Sequence, residues 1–202
     1  MLKKHFLDLI NKYSSNLNFN ENCWSEIEKR YSGKKRFYHN LTHLEHMLLE
    51  LKFIKEQAVD LDSILFSVYY HDIVYDASKS NNEEESAKFL EKALRNTSFE
   101  KVEECKNQII ATQKHENSDD MDVNILLDID MAILGQSWDV YEAYCQKIRK
   151  EYSIYPDFLY KKGRKKALKS FLEQKRIFKT DFFNEKYENT ARENISKELA
   201  TL

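Results

Sequence analysis

Glycine and proline are scarce in this chain. Its 202 residues include 3 Gly and 1 Pro, where average usage would supply roughly 14 and 10. Tight β-hairpins and phosphate-cradling loops need residues that adopt positive φ, which glycine does most readily. The scarcity argues against a β-sandwich, a β-barrel or an enzyme built on a glycine-rich phosphate loop.

Cysteine is also rare, and neither sign of charge dominates. The three cysteines, Cys23, Cys105 and Cys145, lie far apart with no Cys-x-x-Cys spacing. A disulfide scaffold or a thiolate zinc site is therefore not expected, and a reducing compartment fits best. Lys and Arg number 32, against 34 Asp and Glu, without the basic excess typical of proteins that coat duplex nucleic acid. We expect no duplex nucleic-acid partner.

Long hydrophobic runs are missing as well. The longest, from Ile64 to Tyr70, is far shorter than the roughly 20 residues that a transmembrane helix needs. Polar residues interrupt the segment that follows Lys3 and Lys4, so no signal peptide is expected. We expect a cytoplasmic protein without a membrane partner.

What the sequence does contain is helical periodicity along almost its whole length. Apolar residues make up 42% of the chain, including 12 Tyr and 12 Phe, which is enough to fill a substantial core. Asp62 is predicted to begin one helix and Gly135 to end another. The pattern predicts an all-α fold of about 8–10 helices in one domain, residues 1–202, with helices 1–31 and 138–202 packed on helices 38–134. The predicted helices cover 1–15, 21–31, 40–56, 62–72, 83–94, 100–114, 123–134, 138–152, 156–174 and 185–200.

Three of the six histidines are close together, at His39, His43 and His46. On a helix these positions fall at about 0°, 40° and −20°, on one narrow face. Imidazoles placed in this way suit metal binding or proton transfer, although each alone could be an ordinary hydrogen-bonded histidine. The residue after His39 is Asn40, not the glutamate that the metalloprotease motif requires, so a protease is not expected.

Carboxylates follow or interrupt two apolar stretches. His71 and Asp72 end the apolar helix; a buried ionised carboxylate needs a partner, and metal coordination can provide one. Capping of the following loop by Asp72 is the structural alternative. Asp128 and Asp130 lie in the apolar segment 126–131 and point about 160° apart, so only one can face a given site. The other carboxylate then faces solvent or a basic partner; if that one is Asp128, it is expected to orient a histidine ring or pair with an arginine.

The ordered set His43, His71-Asp72 and Asp130 on an all-helical chain resembles the HD superfamily of metal-dependent phosphohydrolases. More closely, it resembles a bacterial branch of predicted HD-domain hydrolases of about this length. The likeness runs from about Trp24 to the end, although Met131 stands where leucine would be expected. It is carried by Arg36–His43, Tyr70–Asp76, Asn82–Ala87, Ala111–His115, Leu127–Gly135, Ile148–Tyr152, Gly163–Arg164 and Ala191–Asn194.

The resemblance implies that His43, His71, Asp72 and Asp130 bind a divalent metal ion, and it favours Asp130 over Asp128 for that role. Mixed nitrogen and oxygen ligation suits Mn, Fe, Co, Ni, Zn or Mg. Four protein ligands that leave positions open are typical of a catalytic site rather than a structural one.

Further roles are expected for residues outside this ligand set. The segment from His39 to His43 is also similar to a motif of cyclic-nucleotide phosphodiesterases, in which the first histidine is the general acid; this implies that His39 protonates the leaving oxygen. Glu83 is a candidate for orienting the attacking water, or else a plain carboxylate at a helix start. His115 and Arg149 are candidates for binding the substrate phosphate. A second ion or an ordinary surface position are the alternatives for His115.

These features together predict a metal-dependent phosphohydrolase. We expect it to act on a small phosphoester, with a nucleotide as one candidate, through a metal-activated water. Two alternatives stay open: a non-catalytic metal- or ligand-binding HD module, and a metal-dependent hydrolase of another bond type. The expected partner is a small phosphorylated substrate, and a homo-oligomer is compatible with the sequence.

Overall fold

Ten α-helices and no β-strand make up the computed structural model, which describes residues 1–202. The all-α class and the expected number of helices are therefore confirmed. Two short 3-10 turns, Lys55–Gln57 and Ala132–Gly135, lie between helices. The helices are α1 (Leu2–Ile10), α2 (Leu17–Tyr31), α3 (Leu41–Leu51), α4 (Leu61–Tyr70), α5 (Asn82–Leu94), α6 (Val102–Ala111), α7 (Met121–Met131), α8 (Trp138–Glu151), α9 (Asp157–Glu173) and α10 (Asp181–Thr201).

Several helix starts are set by side chains that accept a backbone N–H of the first turn. Asn16 accepts from the N–H of Phe19, so α2 begins earlier than the periodicity predicts. The prediction that Asp62 caps α4 is wrong. Asp60 has the extended backbone of a cap and accepts from the N–H of Ser63, whereas Asp62 lies in the first turn.

The helix α4 lies at the centre of the fold. All its residues from Ser63 to Tyr70 are buried, and it packs against α1, α3, α5, α6 and α7. A hydrophobic cluster of 39 buried residues extends from Leu2 to Ile195, so both ends of the chain share one core. Each large apolar side chain that is fully buried contributes about 1.5–3 kcal/mol of transfer free energy.

A second buried helix, α7, packs against α3, α4 and α6. The two carboxylates in its last turns point to different surroundings. Asp128 accepts hydrogen bonds from the N–H groups of Lys179 and Thr180 and from the hydroxyl of Thr180, each at 2.7 Å. Burial raises the pKa of Asp128 to about 6, and these donors act in the opposite direction. The expectation that Asp128 orients a histidine or pairs with an arginine is wrong, because it holds the start of α10 instead.

Gly135 allows close contact between a turn and a helix. It ends the 3-10 turn that follows α7, and this turn packs against α10. Gly135 does not adopt the left-handed backbone common at glycine helix caps, because no glycine in the chain has positive φ. A Cβ atom at Gly135 would overlap the side chain of Tyr187. The absence of a side chain is therefore needed for packing rather than for backbone conformation.

No helix of the structure has both the length and the apolar character that crossing a membrane requires.

Replacing Gly135 by alanine tests this close contact. We expect Gly135→Ala to lower the free energy of unfolding by about 1–3 kcal/mol, because Tyr187 or the turn must move. The control is Gly163→Ala in α9, where an added Cβ meets nothing within 4 Å. That change should stabilise the protein by about 0.5–1 kcal/mol through helix propensity. Urea denaturation measures both, and equal effects of the two substitutions would contradict the interpretation.

Candidate metal centre

The four predicted metal ligands lie where three helices meet. His43 is in the first turn of α3, whose start is fixed by Asn40 accepting from the N–H of Thr42. His71 directly follows the last residue of α4, and Asp72 comes next. Asp130 is in the last turn of α7. Because α3, α4 and α7 pack against one another, these side chains converge.

The donor atoms of this set are close together. The Nε2 atoms of His43 and His71 are 3.3 Å apart, and each approaches Asp130 Oδ1, at 3.1 and 3.7 Å respectively. Asp72 Oδ2 lies 3.2 Å from His71 Nε2. The donor atoms of His43, His71 and Asp72 all lie within 4.8 Å of one another, a buried group that could hold a metal ion. Asp130 adjoins this group through both imidazoles.

The spacing of these donors fits a divalent cation. Bonds of about 2.1 Å would separate neighbouring donors by about 3.0 Å in an octahedral site and about 3.4 Å in a tetrahedral one. The short distances of the cluster, 3.1, 3.2 and 3.3 Å, match that range. His71 Nδ1 is 2.9 Å from the carbonyl oxygen of Val68, an arrangement that fixes the ring with Nδ1 as donor and directs Nε2 at the site.

Without a cation, burial and the charges of neighbouring groups set the pKa values of the side chains in the cluster. Burial lowers the pKa of His71, but the charge of Asp72 and its hydrogen bond raise it more, to about 9. Burial raises the pKa of Asp72, while the charges of His71 and His39 bring it well below its usual range. Burial lowers the pKa of His43, against the opposite effect of Asp130. A metal ion that binds here would replace the proton that the raised pKa keeps on His71.

His39 lies beside the cluster and is held by a carboxylate that the sequence analysis did not identify. It precedes α3, so the prediction that it shares a helical face with His43 is wrong. Its Nδ1 is 2.6 Å from Glu151 Oε2, and its Nε2 faces Asp72 Oδ2 at 3.9 Å. Burial lowers the pKa of His39, but the charge of Asp72 and the bond to Glu151 raise it more, with a net increase. The Nε2 atom of His39 thus faces the candidate centre.

Glu151 is fixed in place by several donors. Its side chain is 0% exposed, and Oε1 accepts from the backbone N–H groups of Tyr38 and His39. Oε2 also accepts from the hydroxyl of Tyr75 at 3.0 Å. Glu151 is 112 residues from His39 along the chain, and one glutamate on an amphipathic helix is no local signal. Only the packing of α8 brings the two together.

Arg36 joins the two segments that carry the histidines. Its guanidinium donates to the carbonyl oxygens of His39, Asp72 and Ile73 at 3.0, 2.7 and 3.1 Å. These bonds hold the chain before α3 against the chain after α4. The arginine therefore positions His39 and Asp72 relative to each other, a role that its place in the sequence does not indicate.

His115 contacts the other oxygen of Asp130. It follows α6 with φ of 52°, the one positive φ among the non-glycine residues, a conformation that costs on the order of 1–3 kcal/mol. Its Nε2 is 3.0 Å from Asp130 Oδ2. The structure therefore places His115 in the cluster, and its binding of phosphate or a second ion stays a prediction.

The structure does not bring Glu83 and Arg149 into contact with the cluster. The Glu83 carboxylate has one side-chain partner, Gln113, at 3.5 Å. Burial raises the pKa of Glu83, and the charge of Asp72 adds to this increase. Arg149 donates to the Asp157 carboxylate and to the carbonyl oxygens of Tyr152 and Tyr155, so it holds the turn between α8 and α9. The roles of Glu83 and Arg149 stay predictions without support from their contacts.

Comparison with family models, with curated proteins and with solved structures finds no match for this chain.

Binding of a cation should stabilise the folded protein. After chelator treatment, we expect Mn²⁺ at about 100 times its Kd to add about 2.7 kcal/mol to the free energy of unfolding. His71→Ala removes a nitrogen ligand and should weaken Mn²⁺ binding by more than about a hundredfold. The control is His46→Ala, an exposed histidine of α3 outside the cluster, which should leave it unchanged. Urea denaturation measures the gain in stability, and calorimetric titration measures the Mn²⁺ affinity of both variants. Unaltered Mn²⁺ binding by His71→Ala would contradict a metal site here.

Proposed function

We propose that this protein is a metal-dependent hydrolase, and more specifically a phosphohydrolase of the HD type that cleaves a small phosphoester. The observation that carries the proposal is the pairing of two kinds of group. A buried cluster suited to a divalent cation lies beside His39, an imidazole held by a buried carboxylate. The resemblance of the ordered His43, His71-Asp72 and Asp130 set to the HD superfamily supports the same assignment.

The ligand set would be His43, His71, Asp72 and Asp130, which suits Mn, Fe, Co, Ni, Zn or Mg. A divalent cation bound there would supply a water acidic enough to ionise near neutral pH and positive charge for a phosphoryl group. Asp130 keeps its orientation because His115 occupies its second oxygen. His71 keeps its orientation through the carbonyl of Val68.

His39 would donate the proton that the leaving group needs. An alkoxide is a poor leaving group unless it is protonated as the phosphorus–oxygen bond breaks. His39 directs Nε2 toward the cluster while Glu151 holds Nδ1, so the proton is placed on the side where the ester oxygen would lie. Glu151 stabilises the protonated ring, and the hydroxyl of Tyr75 keeps that carboxylate in place.

The His39–Glu151 pair favours catalysis over simple metal storage. Neither residue belongs to the compact group of metal donors, so a protein that only holds a cation has no need of an imidazole held by a carboxylate there. A buried carboxylate is costly to maintain, and here its partners are His39, Tyr38 and Tyr75 at the side of the centre.

The proposal is tested with a panel of phosphomonoesters and phosphodiesters in the presence of Mn²⁺, Co²⁺ or Ni²⁺. We expect metal-dependent release of phosphate or of a phosphomonoester by the wild type. Asp72→Ala should lower kcat/KM by more than about a hundredfold, because it removes a ligand. Asp119→Ala, at an exposed position, is the matched control and should keep full activity.

Absence of turnover with every cation and every ester would favour a metal- or ligand-binding module. Cleavage of a different bond, identified from the products, would keep the hydrolase and reject the phosphoester. Hydrolysis that survives Asp72→Ala unchanged would place the reaction elsewhere in the protein.

The acid role of His39 predicts a pH effect for Glu151. A general acid works only while protonated, so activity should fall as pH rises through the pKa of His39. Because the bond to Glu151 raises that pKa, Glu151→Gln should move the alkaline limb of the kcat/KM profile to lower pH. Glu142→Gln, an exposed glutamate of the same helix, should leave the limb in place. A uniform loss of activity at all pH values would argue against a role in setting this pKa.

A further inference from the structure

A cavity of about 270 Å³ lies between the start of α3 and the helix α8. His43 lines this cavity and also belongs to the candidate metal group, so the two adjoin each other. The ring of Tyr38, another wall residue, has its centre 4.9 Å from that of His43. The backbone N–H of Tyr38 donates to Glu151, the carboxylate that holds His39. Glu151 is therefore bonded to a residue of the cavity wall.

The helix α8 forms one wall through side chains spaced four residues apart. Asp139, Ala143 and Lys147 form one row, and Val140 and Tyr144 form the next, because residues four apart share a helical face. Ala143 is in the middle of its row, and its small side chain leaves space there. A larger side chain at this position would fill the cavity while extending from an exposed helix surface.

Five of the eleven residues that line the cavity are apolar or aromatic. The rings of Tyr38 and Tyr144 meet edge to face, with centres 4.7 Å apart, and Ile133, Val140 and Ala143 also line the space. Val140 is 45% exposed, so this part of the wall is open to a ligand. Against these five side chains a flat ring would gain contact area and aromatic packing, whereas a polyol would leave some of its hydroxyl groups facing apolar atoms.

Polar groups without protein partners also belong to the lining. The hydroxyl of Tyr38 makes no hydrogen bond within the protein, while that of Tyr144 accepts from Arg164. Lys147 and Asp139 line the cavity, and neither forms an ion pair within 4.0 Å. One cation and one anion are thus available to the polar edge of a bound ring.

We propose that this cavity binds the organic group of the substrate and that this group is a planar ring, aromatic or heteroaromatic. Ala143 and Val140 are then residues that determine specificity. This inference rests on the proposed function for the position of the phosphoryl group, which would lie at the metal centre. The ring would extend from there past His43 and along Tyr38 toward Val140 and Ala143 of α8.

The decisive comparison uses phosphonates, which cannot be hydrolysed. Wild-type protein with Mn²⁺ should bind phenylphosphonate at least about tenfold more tightly than methylphosphonate, because only the former places a ring in the cavity. Ala143→Trp should abolish this preference and leave methylphosphonate and Mn²⁺ affinities within about twofold, by calorimetry. Ala167→Trp, an exposed alanine of α9, is the matched control and should keep it. Should Ala143→Trp fail to fold, Val140→Trp fills the same space.

Hydrolysis of phenyl phosphate and glycerol 2-phosphate separates this inference from the proposed function. Comparing each variant with wild type on the same ester cancels the difference in leaving-group reactivity. A ring preference in binding that Ala143→Trp removes would support the cavity even without turnover of either ester; the phosphohydrolase is rejected if the full panel of phosphomonoesters and phosphodiesters is also not hydrolysed. Turnover of both esters with equal phosphonate affinities, or a preference that survives Ala143→Trp, would overturn the cavity assignment and leave the hydrolase standing.

Discussion

Asp130 is a carboxylate at the end of a helix that is otherwise almost wholly buried, and its charge has to be balanced inside the protein. A buried carboxylate without partners is strongly unfavourable. Each helix that packs against α7 supplies or leads into an imidazole that approaches it: His43 from α3, His71 after α4 and His115 after α6. Burial raises the pKa of Asp130, and the bonds from His115 and His43 bring it well below its usual range. The packing of these helices against α7 thus also assembles the candidate centre.

The residues around the centre divide into two groups: the candidate metal ligands, and the residues that hold His39, the proposed proton donor. Glu151 contacts His39 but none of the candidate ligands, and Arg36 holds the backbone of both segments through carbonyl oxygens rather than through the carboxylates. The same helix, α8, presents Glu151 to His39 and, nearer its start, lines the cavity beside His43. One helix therefore contacts both the proposed proton donor and the space proposed for the organic part of the substrate.

Two aspartates separated by one residue illustrate how burial divides structural from chemical roles. Asp128 receives N–H groups from the segment before α10 and stabilises the join between two helices. Asp130, on a different face of the same helix, meets histidines. Helical geometry establishes that the two must differ, but which of them faces the centre depends on the neighbours of α7. In the structure it is Asp130 whose carboxylate approaches His43 and His71.

The amino-acid sequence alone determined the all-helical class, because the 3.6-residue period of apolar positions and the shortage of glycine and proline are local properties. It also singled out His43, His71 and Asp72, since those residue types at the ends of apolar helices are conspicuous. It did not reveal Glu151, which is 112 residues from His39, nor that Gly135 is required by Tyr187. Those relations exist only between side chains of helices distant in the chain. Tertiary packing decides them. Whether two groups form a hydrogen bond or overlap depends on differences of a few tenths of an ångström in the distance between them, which no periodicity of the sequence encodes.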